Sequence, residues 1–192
     1  MTEITTWQTI LNKTENLIKE KGCQKTTLKD IMERTELTKG GIYHYVKSKN
    51  ELFAKLLSSK LEQINQRFYE AAQNSTEDKL HSPLYQTTET FTFNSDSVSN
   101  EIIIYLLSHR HDPSVAQLLE QHHRIVLEQS KEWILYGQEH GAIPSHIDAK
   151  NVSQLFLLIG YGLNVHHAIT SDELGITQDK LFEYMFNMLS HD

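Results

Sequence analysis

The sequence predicts an all-α fold, and three observations lead to this prediction. The 192 residues contain only three prolines and eight glycines, which leaves long stretches without helix-breaking residues. Within these stretches apolar side chains recur at helical spacing, for example in residues 10–18 and 115–134. Thr or Asp precedes several of the periodic segments and Gly follows others, as is typical of helix ends. We expect about nine helices in total.

The first predicted helix covers residues 6–21 and ends at Gly22, a residue type that commonly terminates helices. Its apolar face recurs at spacings of three and four residues and is expected to point inward. This inward face consists of Ile10, Leu11, Thr14, Leu17 and Ile18.

Three further helices follow in quick succession between residues 26 and 73. Thr27 is expected to cap the second helix, whose periodicity lapses near Glu36. Thr38 is expected to cap the third helix. Ser48 and Glu51 have the spacing of a capping box for a fourth helix, which continues without a breaker to about Gln73.

The third helix has two unlike faces on a helical wheel. Ile42, Tyr45 and Val46 lie on one side, with Thr38, and can pack inward. Gly40, Tyr43, His44 and Lys47 lie on the other. Glycine costs a helix about 1 kcal/mol relative to alanine, so glycines here favour close approach of another surface. Together with the nearby cations Lys39, Lys47 and Lys49, this face suits the second helix of a helix-turn-helix.

These residues resemble the DNA-binding domain of the TetR family of bacterial transcriptional regulators. The matching positions are Thr27, Leu28, Ile31, the turn 35–38, Gly40, Ile42, Tyr43, Tyr45, Lys49 and Leu52. Two positions depart from the family pattern. Glu36 stands where the family usually has glycine in the turn, and Val46 replaces the usual phenylalanine.

The resemblance implies an N-terminal three-helix helix-turn-helix DNA-binding domain, residues 1–52, joined to a helical effector-binding and dimerisation domain, residues 53–192. It implies a homodimer that binds a palindromic operator and, as a repressor, leaves it when a small molecule binds. Phosphates are expected at Thr27 and Lys49, and substituting Lys49 is expected to reduce the salt dependence of DNA binding. The full set of expected DNA-binding residues is Thr27, Thr38, Lys39, Gly40, Gly41, Tyr43, His44 and Lys49.

The last two predicted helices, residues 149–169 and 178–189, are apolar on more than one face. Such wide apolar coverage favours burial on a second side, most simply against a second copy of the chain. Gly160 and Gly162 would allow a neighbouring helix to approach closely. The alternative is that both helices are central in the core of a monomer.

Aromatic and polar side chains on the middle helices are candidates for a small-molecule site. They are Tyr85, Phe91, Tyr105, His109, His123 and Trp133. Helical aromatic residues are more often part of a core, so each of them has a core interpretation as well.

The charge is distributed unevenly along the chain. The net charge is -7, but residues 1–60 have a balance of +4 and residues 61–192 a balance of -11. The positive end therefore coincides with the helix-turn-helix, as expected of a protein that meets phosphate there.

Other function classes receive little support from the sequence. It contains no phosphate loop and no nucleophile elbow, so we expect no catalytic residues and no cofactor. Adjacent histidines such as His122 and His123 lack metal-ligand spacing on a helix, so no metal site is predicted. A single cysteine, Cys23, and the absence of a long apolar run indicate a cytoplasmic protein. The alternative function is a helical small-molecule or metal-binding module that does not bind an operator.

Overall fold

The computed structural model describes residues 5–74, 98–170 and 177–190. Its helices are α1 (Thr6–Lys25), α2 (Leu28–Thr35), α3 (Lys39–Tyr45), α4 (Lys49–Asn74), α5 (Val98–Ser108), α6 (Pro113–Glu139), α7 (Ala149–Ile169) and α8 (Gln178–Ser190). These ranges contain no strand, and the predicted all-α class is confirmed. The sequence also predicts a helix over about residues 79–93, and this segment lies outside the described residues.

By its internal contacts the chain divides into two compact units. The first unit comprises Met1–Lys60 and Asp96–His122, and the second comprises Leu61–Ser95 and His123–Asp192. Helices α4 and α6 each have residues in both units. The expected functional division into residues 1–52 and 53–192 stays a prediction.

The first unit is built around the apolar faces of its short helices. All five residues predicted to face inward on α1 are buried. They pack with buried side chains of α2, α3, α4, α5 and α6 in one cluster. This cluster includes Ile31, Ile42, Val46, Leu52, Phe53, Ile102, Leu106 and Val115. Helices α2 and α3 contribute only Ile31 and Ile42 to it, so neither has a core of its own and both depend on packing against the rest of the unit.

The second unit has an aromatic core. Phe68 of α4 stacks on Trp133 of α6 with 4.9 Å between ring centroids. Trp133 also donates from Nε1 to Asn65 Oδ1 at 2.7 Å, so its polar edge is satisfied. Phe182 and Leu189 of α8 are buried in the same cluster.

Apolar side chains remain exposed along one stripe of α7. Leu155, Leu158, Val165 and Ile169 are between 42% and 78% exposed, and Gly162 lies among them. Their spacing alternates between three and four residues, which is the spacing of a seam between two packed helices. A Cβ atom added at Gly162 would meet no atom within 4 Å.

Most helix ends are where the local sequence predicts them. Asp112 and Asp148 accept amide hydrogen bonds at the starts of α6 and α7. Thr177 accepts from the Lys180 amide at the start of α8. Gly141, just after α6, has φ of 71°, a conformation that glycine adopts readily. Short-range cap chemistry therefore determines these boundaries.

Two helix boundaries and one capping box differ from the prediction. Helix α1 does not end at Gly22 but continues, after a break at that residue, to Lys25. The polar run 94–100 predicts that the next helix starts at Glu101, but α5 begins at Val98, whose side chain is buried in the core. In the predicted capping box Ser48 does accept from the Glu51 amide, but Glu51 accepts from the amide of Lys47 and not from that of Ser48.

Candidate nucleic-acid interface

Helices α2 and α3 form a helix-turn-helix whose two starts are capped by threonine. The Thr27 hydroxyl accepts from the Asp30 amide at 3.2 Å, and the Asp30 carboxylate accepts from the Thr27 amide at 2.7 Å. The Thr38 hydroxyl accepts from the Gly41 amide at 3.2 Å. Both predicted caps are confirmed, and both side chains lie on the surface.

The turn between α2 and α3 contains the residue that departs from the family pattern. Glu36 has φ of 57° and ψ of 24°, which is the left-handed conformation. Its amide donates to the Met32 carbonyl and so ends α2. This conformation costs a side chain with a Cβ about 1–2 kcal/mol. The turn thus keeps the geometry that glycine would adopt without this cost.

Helix α3 separates its two faces as the wheel predicted. Ile42 and Val46 are buried, and Tyr45 is half-buried. On the opposite face Tyr43 is 46% exposed, and His44 is also exposed. A Cβ added at Gly40 would meet nothing within 4 Å. The outer face is therefore open to a large partner, with two aromatic side chains projecting from it.

Gly40 and Gly41 differ in their surroundings. A Cβ at Gly41 would lie 3.4 Å from Thr38 Oγ1 and 3.6 Å from a side-chain carbon of Leu37. A Cβ at Gly41 would thus make ordinary contacts with the turn, whereas one at Gly40 would point into open space.

Two lysines lie exposed beside the outer face of α3. Lys39 is at the start of the helix, with Nζ 5.9 Å from the centroid of the Tyr43 ring. Lys47 follows the helix directly and is also exposed. Neither position belongs to the core, so both ammonium groups are available for phosphate oxygens.

Lys49 has a different position from the one expected for a phosphate ligand. Its Nζ donates to the carbonyl oxygens of Cys23 at 3.2 Å and Gln24 at 3.4 Å. It also lies 4.6 Å from the centroid of the Tyr105 ring. The ammonium group is thus turned toward the protein, and a direct contact with DNA would require it to leave these partners. That Lys49 binds DNA stays a prediction.

A contact at the end of α3 was not anticipated from the sequence. Lys55 of α4 donates from Nζ to the Tyr45 carbonyl at 2.7 Å. The same ammonium lies 5.6 Å from the Trp7 ring centroid, and Trp7 stacks on Tyr45 at 5.5 Å. A cation at the carboxyl end of a helix is favourable for the helix dipole. Lys55 and Trp7 therefore anchor the end of α3 to α4 and α1.

The residues predicted to bind a small molecule are distributed over both units. Tyr85 and Phe91 lie outside the described residues. Tyr105 on α5 and His109, which directly follows that helix, belong to the first unit, where the Tyr105 hydroxyl donates to Asn50 Oδ1 at 3.2 Å. His123 and Trp133 are on α6 in the second unit.

His123 and Trp133 differ in exposure. His123 is exposed, with Nδ1 3.0 Å from the hydroxyl of Tyr161, whereas Trp133 is buried. Burial raises the pKa of Tyr161, so its hydroxyl is protonated near neutral pH. That these six residues bind a ligand stays a prediction.

The described part of the chain contains neither a metal-binding cluster nor a membrane-spanning helix. Over residues 5–74, 98–170 and 177–190, no group of three or more His, Cys, Asp or Glu side chains is arranged to hold a metal ion. Among the helices of this described part, none has the length and apolar character needed to cross a bilayer.

The segment that contains the helix-turn-helix also matches a known protein family. Residues 10–56 match the sequence pattern of bacterial regulatory proteins of the tetR family. The chain is 24% identical over 165 residues to YfiR of Bacillus subtilis, an uncharacterised HTH-type transcriptional regulator, covering 85% of this chain and 80% of that protein.

Two solved structures have a similar fold. A transcriptional regulator of the TetR/AcrR family from Thermobifida fusca aligns with a TM-score of 0.60 and 22% identity, covering 95% of each chain. FadR of Bacillus subtilis, solved in complex with stearoyl-CoA, aligns with a TM-score of 0.65 and 17% identity over 96% of this chain and 98% of that one. The capped helix-turn-helix and its open outer helix face lie within the segment that matches the tetR family, which supports a DNA-binding transcriptional regulator of that family.

Proposed function

We propose that this protein is a homodimeric repressor that binds a palindromic operator and is released from it by a small-molecule effector. The observation that carries the proposal is the outer face of α3, where Tyr43 and His44 project beside Lys39 and Lys47. A short exposed helix with aromatic, polar and cationic side chains suits entry into the major groove. The buried Ile42 and Val46 hold it rigidly from behind.

The proposed contacts divide into two kinds. Lys39, Gly40, Tyr43 and His44 face the groove, where Gly40 permits close approach and the side chains meet phosphate, sugar or base edges. The starts of α2, α3 and α4 offer backbone amides to phosphates, since the first turn of a helix has amides without helical partners. Thr27, Thr38, Gly41 and Lys49 belong to these starts. Lys49 thus takes part through its backbone, while its ammonium group holds the protein together.

A second copy of the chain is proposed to cover the exposed stripe on α7. Leu158 is 65% exposed and Ile169 is 78% exposed, and both recur at seam spacing with Leu155 and Val165. Tyr184 on α8 is also exposed. An exposed apolar stripe of this regularity is typical of a helix that packs against another one. A dimer through α7 and α8 would present two α3 helices to two half-sites about 34 Å apart, or a near multiple of that.

The effector is proposed to bind among the helices that follow the DNA-binding domain. The expected ligand-binding residues are Tyr85, Phe91, Tyr105, His109, His123 and Trp133. The FadR structure with stearoyl-CoA supports the idea that this fold can hold a ligand. Release of DNA follows if the effector prefers a conformer in which the two α3 helices no longer match the half-sites, because a ligand shifts an equilibrium only by its differential affinity. No catalytic step, metal or cofactor is needed, and the site of action is the bacterial cytoplasm.

The first experiment is selection of bound duplexes from a random DNA library by the purified protein, followed by titration of the recovered duplex against salt. We expect a two-fold symmetric sequence whose affinity falls steeply as salt increases. Absence of any enriched sequence at low salt would contradict operator binding and favour a helical small-molecule binding module.

The dimer has its own test. Leu158→Glu places a charge in the proposed seam, and we expect it to convert the dimer to a monomer and to weaken operator binding at least tenfold. Leu107→Glu is the matched control, because Leu107 is 45% exposed and belongs to α5 of the first unit, whereas the stripe belongs to the second unit. Sedimentation analysis that finds both variants dimeric would exclude the α7 stripe as the interface.

A further inference from the structure

Helix α1 is interrupted at a single residue. Gly22 has φ of 80° and ψ of 161°, while helical residues stand on both sides of it. At this break the amide of Cys23 donates to Glu101 Oε1 of α5 at 2.6 Å, across 78 positions of sequence. A Cβ added at Gly22 would lie 3.1 Å from the same oxygen. The break therefore has room for the Glu101 carboxylate because residue 22 is a glycine.

The carbonyl side of the break is held by a second group. Lys49 Nζ of α4 donates to the carbonyls of Cys23 and Gln24. The same ammonium lies over the ring of Tyr105, which stands one helical turn after Glu101 on α5. Tyr105 in turn donates to Asn50 in the first turn of α4. One face of α5 thus reaches both the break in α1 and the start of α4.

The start of α4 is directly connected to α3. Only Val46, Lys47 and Ser48 separate the two helices. Val46 is buried, and the Lys47 amide donates to Glu51 Oε2 at 2.7 Å. A connection this short and this tightly bonded leaves α3 little freedom to tilt independently of the first turn of α4.

Cys23 itself is not the reactive part of this arrangement. Burial, the charge of Glu101 and a hydrogen bond to Glu101 raise the pKa of its thiol to about 12. The thiol is therefore protonated and poorly nucleophilic at neutral pH. What Cys23 contributes to the junction is its backbone.

We propose that Glu101 is a positioning residue for DNA binding, which fixes the break in α1 and thereby, through Lys49 and the first turn of α4, the orientation of α3. The proposal rests on the proposed operator binding by α3. Glu101 is exposed at the surface and lies on α5, outside the helix-turn-helix. Its carboxylate contacts the break in α1, and the proposed role requires no contact with nucleic acid.

The sign of the effect separates this role from simple electrostatics. A carboxylate near a DNA-binding domain repels phosphates, so its removal would strengthen DNA binding if charge were its only contribution. Loss of a positioning contact weakens binding instead. Because Glu101 does not neutralise a phosphate, the salt dependence would be unchanged in the second case.

The experiment compares three variants on the symmetric duplex selected by the wild type. Glu101→Ala removes the acceptor, and Glu101→Gln removes the charge but keeps an acceptor oxygen. Glu33→Ala is the control, since Glu33 is an exposed carboxylate of the same unit whose ion pair, with Lys29, stays within α2. We expect Glu101→Ala to weaken binding about tenfold with an unchanged salt slope, as for loss of a hydrogen bond to a charged group. Glu101→Gln should stay within about twofold of the wild type, and Glu33→Ala should bind equally or more tightly.

Two results of the DNA titrations would overturn the proposal. One is a Glu101→Ala protein that binds as tightly as Glu33→Ala, and the other is a Glu101→Gln protein as weak as Glu101→Ala. Amide hydrogen exchange provides a readout without DNA. Exchange at Cys23 and over residues 46–49 should be faster in Glu101→Ala, and unchanged exchange over 46–49 would also overturn the proposal. A wild type that selects no duplex would contradict operator binding and leave the exchange result to decide on the positioning role.

Discussion

The lysines around the helix-turn-helix occupy two environments. Lys39 and Lys47 lie exposed beside the outer face of α3. The ammonium groups of Lys49 and Lys55, the inner lysines, are instead bound by the protein. Lys49 donates to two backbone carbonyls and the partly exposed Lys55 to one, and each lies near an aromatic ring. All four are close in sequence and equally charged. A cluster of cations therefore indicates a DNA-binding region but does not show which of its members contact the DNA.

The inner lysines stabilise helices that are too short to be stable on their own. A seven-residue helix such as α3 has little stability of its own, because nucleation is costly and few hydrogen bonds repay it. Lys55 satisfies a terminal carbonyl of α3, and Lys49 joins the start of α4 to the end of α1. The inner lysines thus stabilise the packing of α3 and α4, and this packing holds the outer lysines and aromatic side chains in place for DNA.

The largest expected effect concerns the two tyrosines of α3. Tyr43 lies on the outer face of the helix, and Tyr45 lies on the inner face. Tyr43→Ala should weaken specific operator binding by about 1–3 kcal/mol, as for loss of a base-edge contact, with the thermal midpoint unchanged. Tyr45→Ala should lower the thermal midpoint, because Tyr45 stacks on Trp7. Differential scanning calorimetry and DNA titration on both variants provide the comparison. Equal destabilisation by the two substitutions would remove the distinction between outer and inner faces.

A smaller effect on stability is expected from a substitution of Glu36 in the turn between α2 and α3. Glu36→Gly should raise the free energy of unfolding by about 1 kcal/mol, since glycine adopts the left-handed conformation without the cost of a Cβ. Glu33→Gly is a matched control within α2, where the same substitution should destabilise by a similar amount. Urea unfolding measures both variants. A Glu36→Gly protein less stable than the wild type would show that the side chain of Glu36 contributes more than its backbone costs.

The sequence predicted those parts of this bundle that depend on neighbours a few residues apart. The caps at Thr27 and Thr38, the inward face of α1 and the two faces of α3 all follow from spacings of three or four residues. The contacts of Lys49, Lys55 and Glu101 join residues 10 to 78 positions apart. No local pattern specifies such partners, because they depend on how the helices pack. For the same reason the sequence indicated that α7 is apolar on several faces but not which side chains stay exposed.

The smallest expected effect concerns a third inner lysine and acid stability. Lys21 of α1 pairs with Asp30 of α2 at 2.7 Å. Hydrogen bonds from Lys21 and Thr27 lower the pKa of Asp30 from 3.8 to about 2. Because the folded pKa is the lower one, the contribution of Asp30 is complete above pH 3.8 and is lost as the pH falls toward about 2.

Acid unfolding of the wild type and Asp30→Asn tests this contribution. Between about pH 4 and pH 2 the wild type should lose slightly more unfolding free energy than the variant, and the effect should be modest because the pair is near the surface. Identical pH profiles would mean that the ion pair does not couple α1 to α2.

The decisive measurement is the salt dependence of binding to the selected duplex for the wild type, Lys39→Met and Lys49→Met. It tests whether Lys39 neutralises a phosphate while the ammonium group of Lys49 stays bound to the protein. Methionine keeps much of the apolar stem of lysine while removing its charge. The sequence alone predicted that Lys49 neutralises a phosphate, whereas the structure places its ammonium group on carbonyls of the protein. We expect the slope of log affinity against log salt to become shallower by about one unit in Lys39→Met and to stay unchanged in Lys49→Met, although both variants bind more weakly. An equally shallow slope in Lys49→Met, or a wild type whose binding does not depend on salt, would contradict the account.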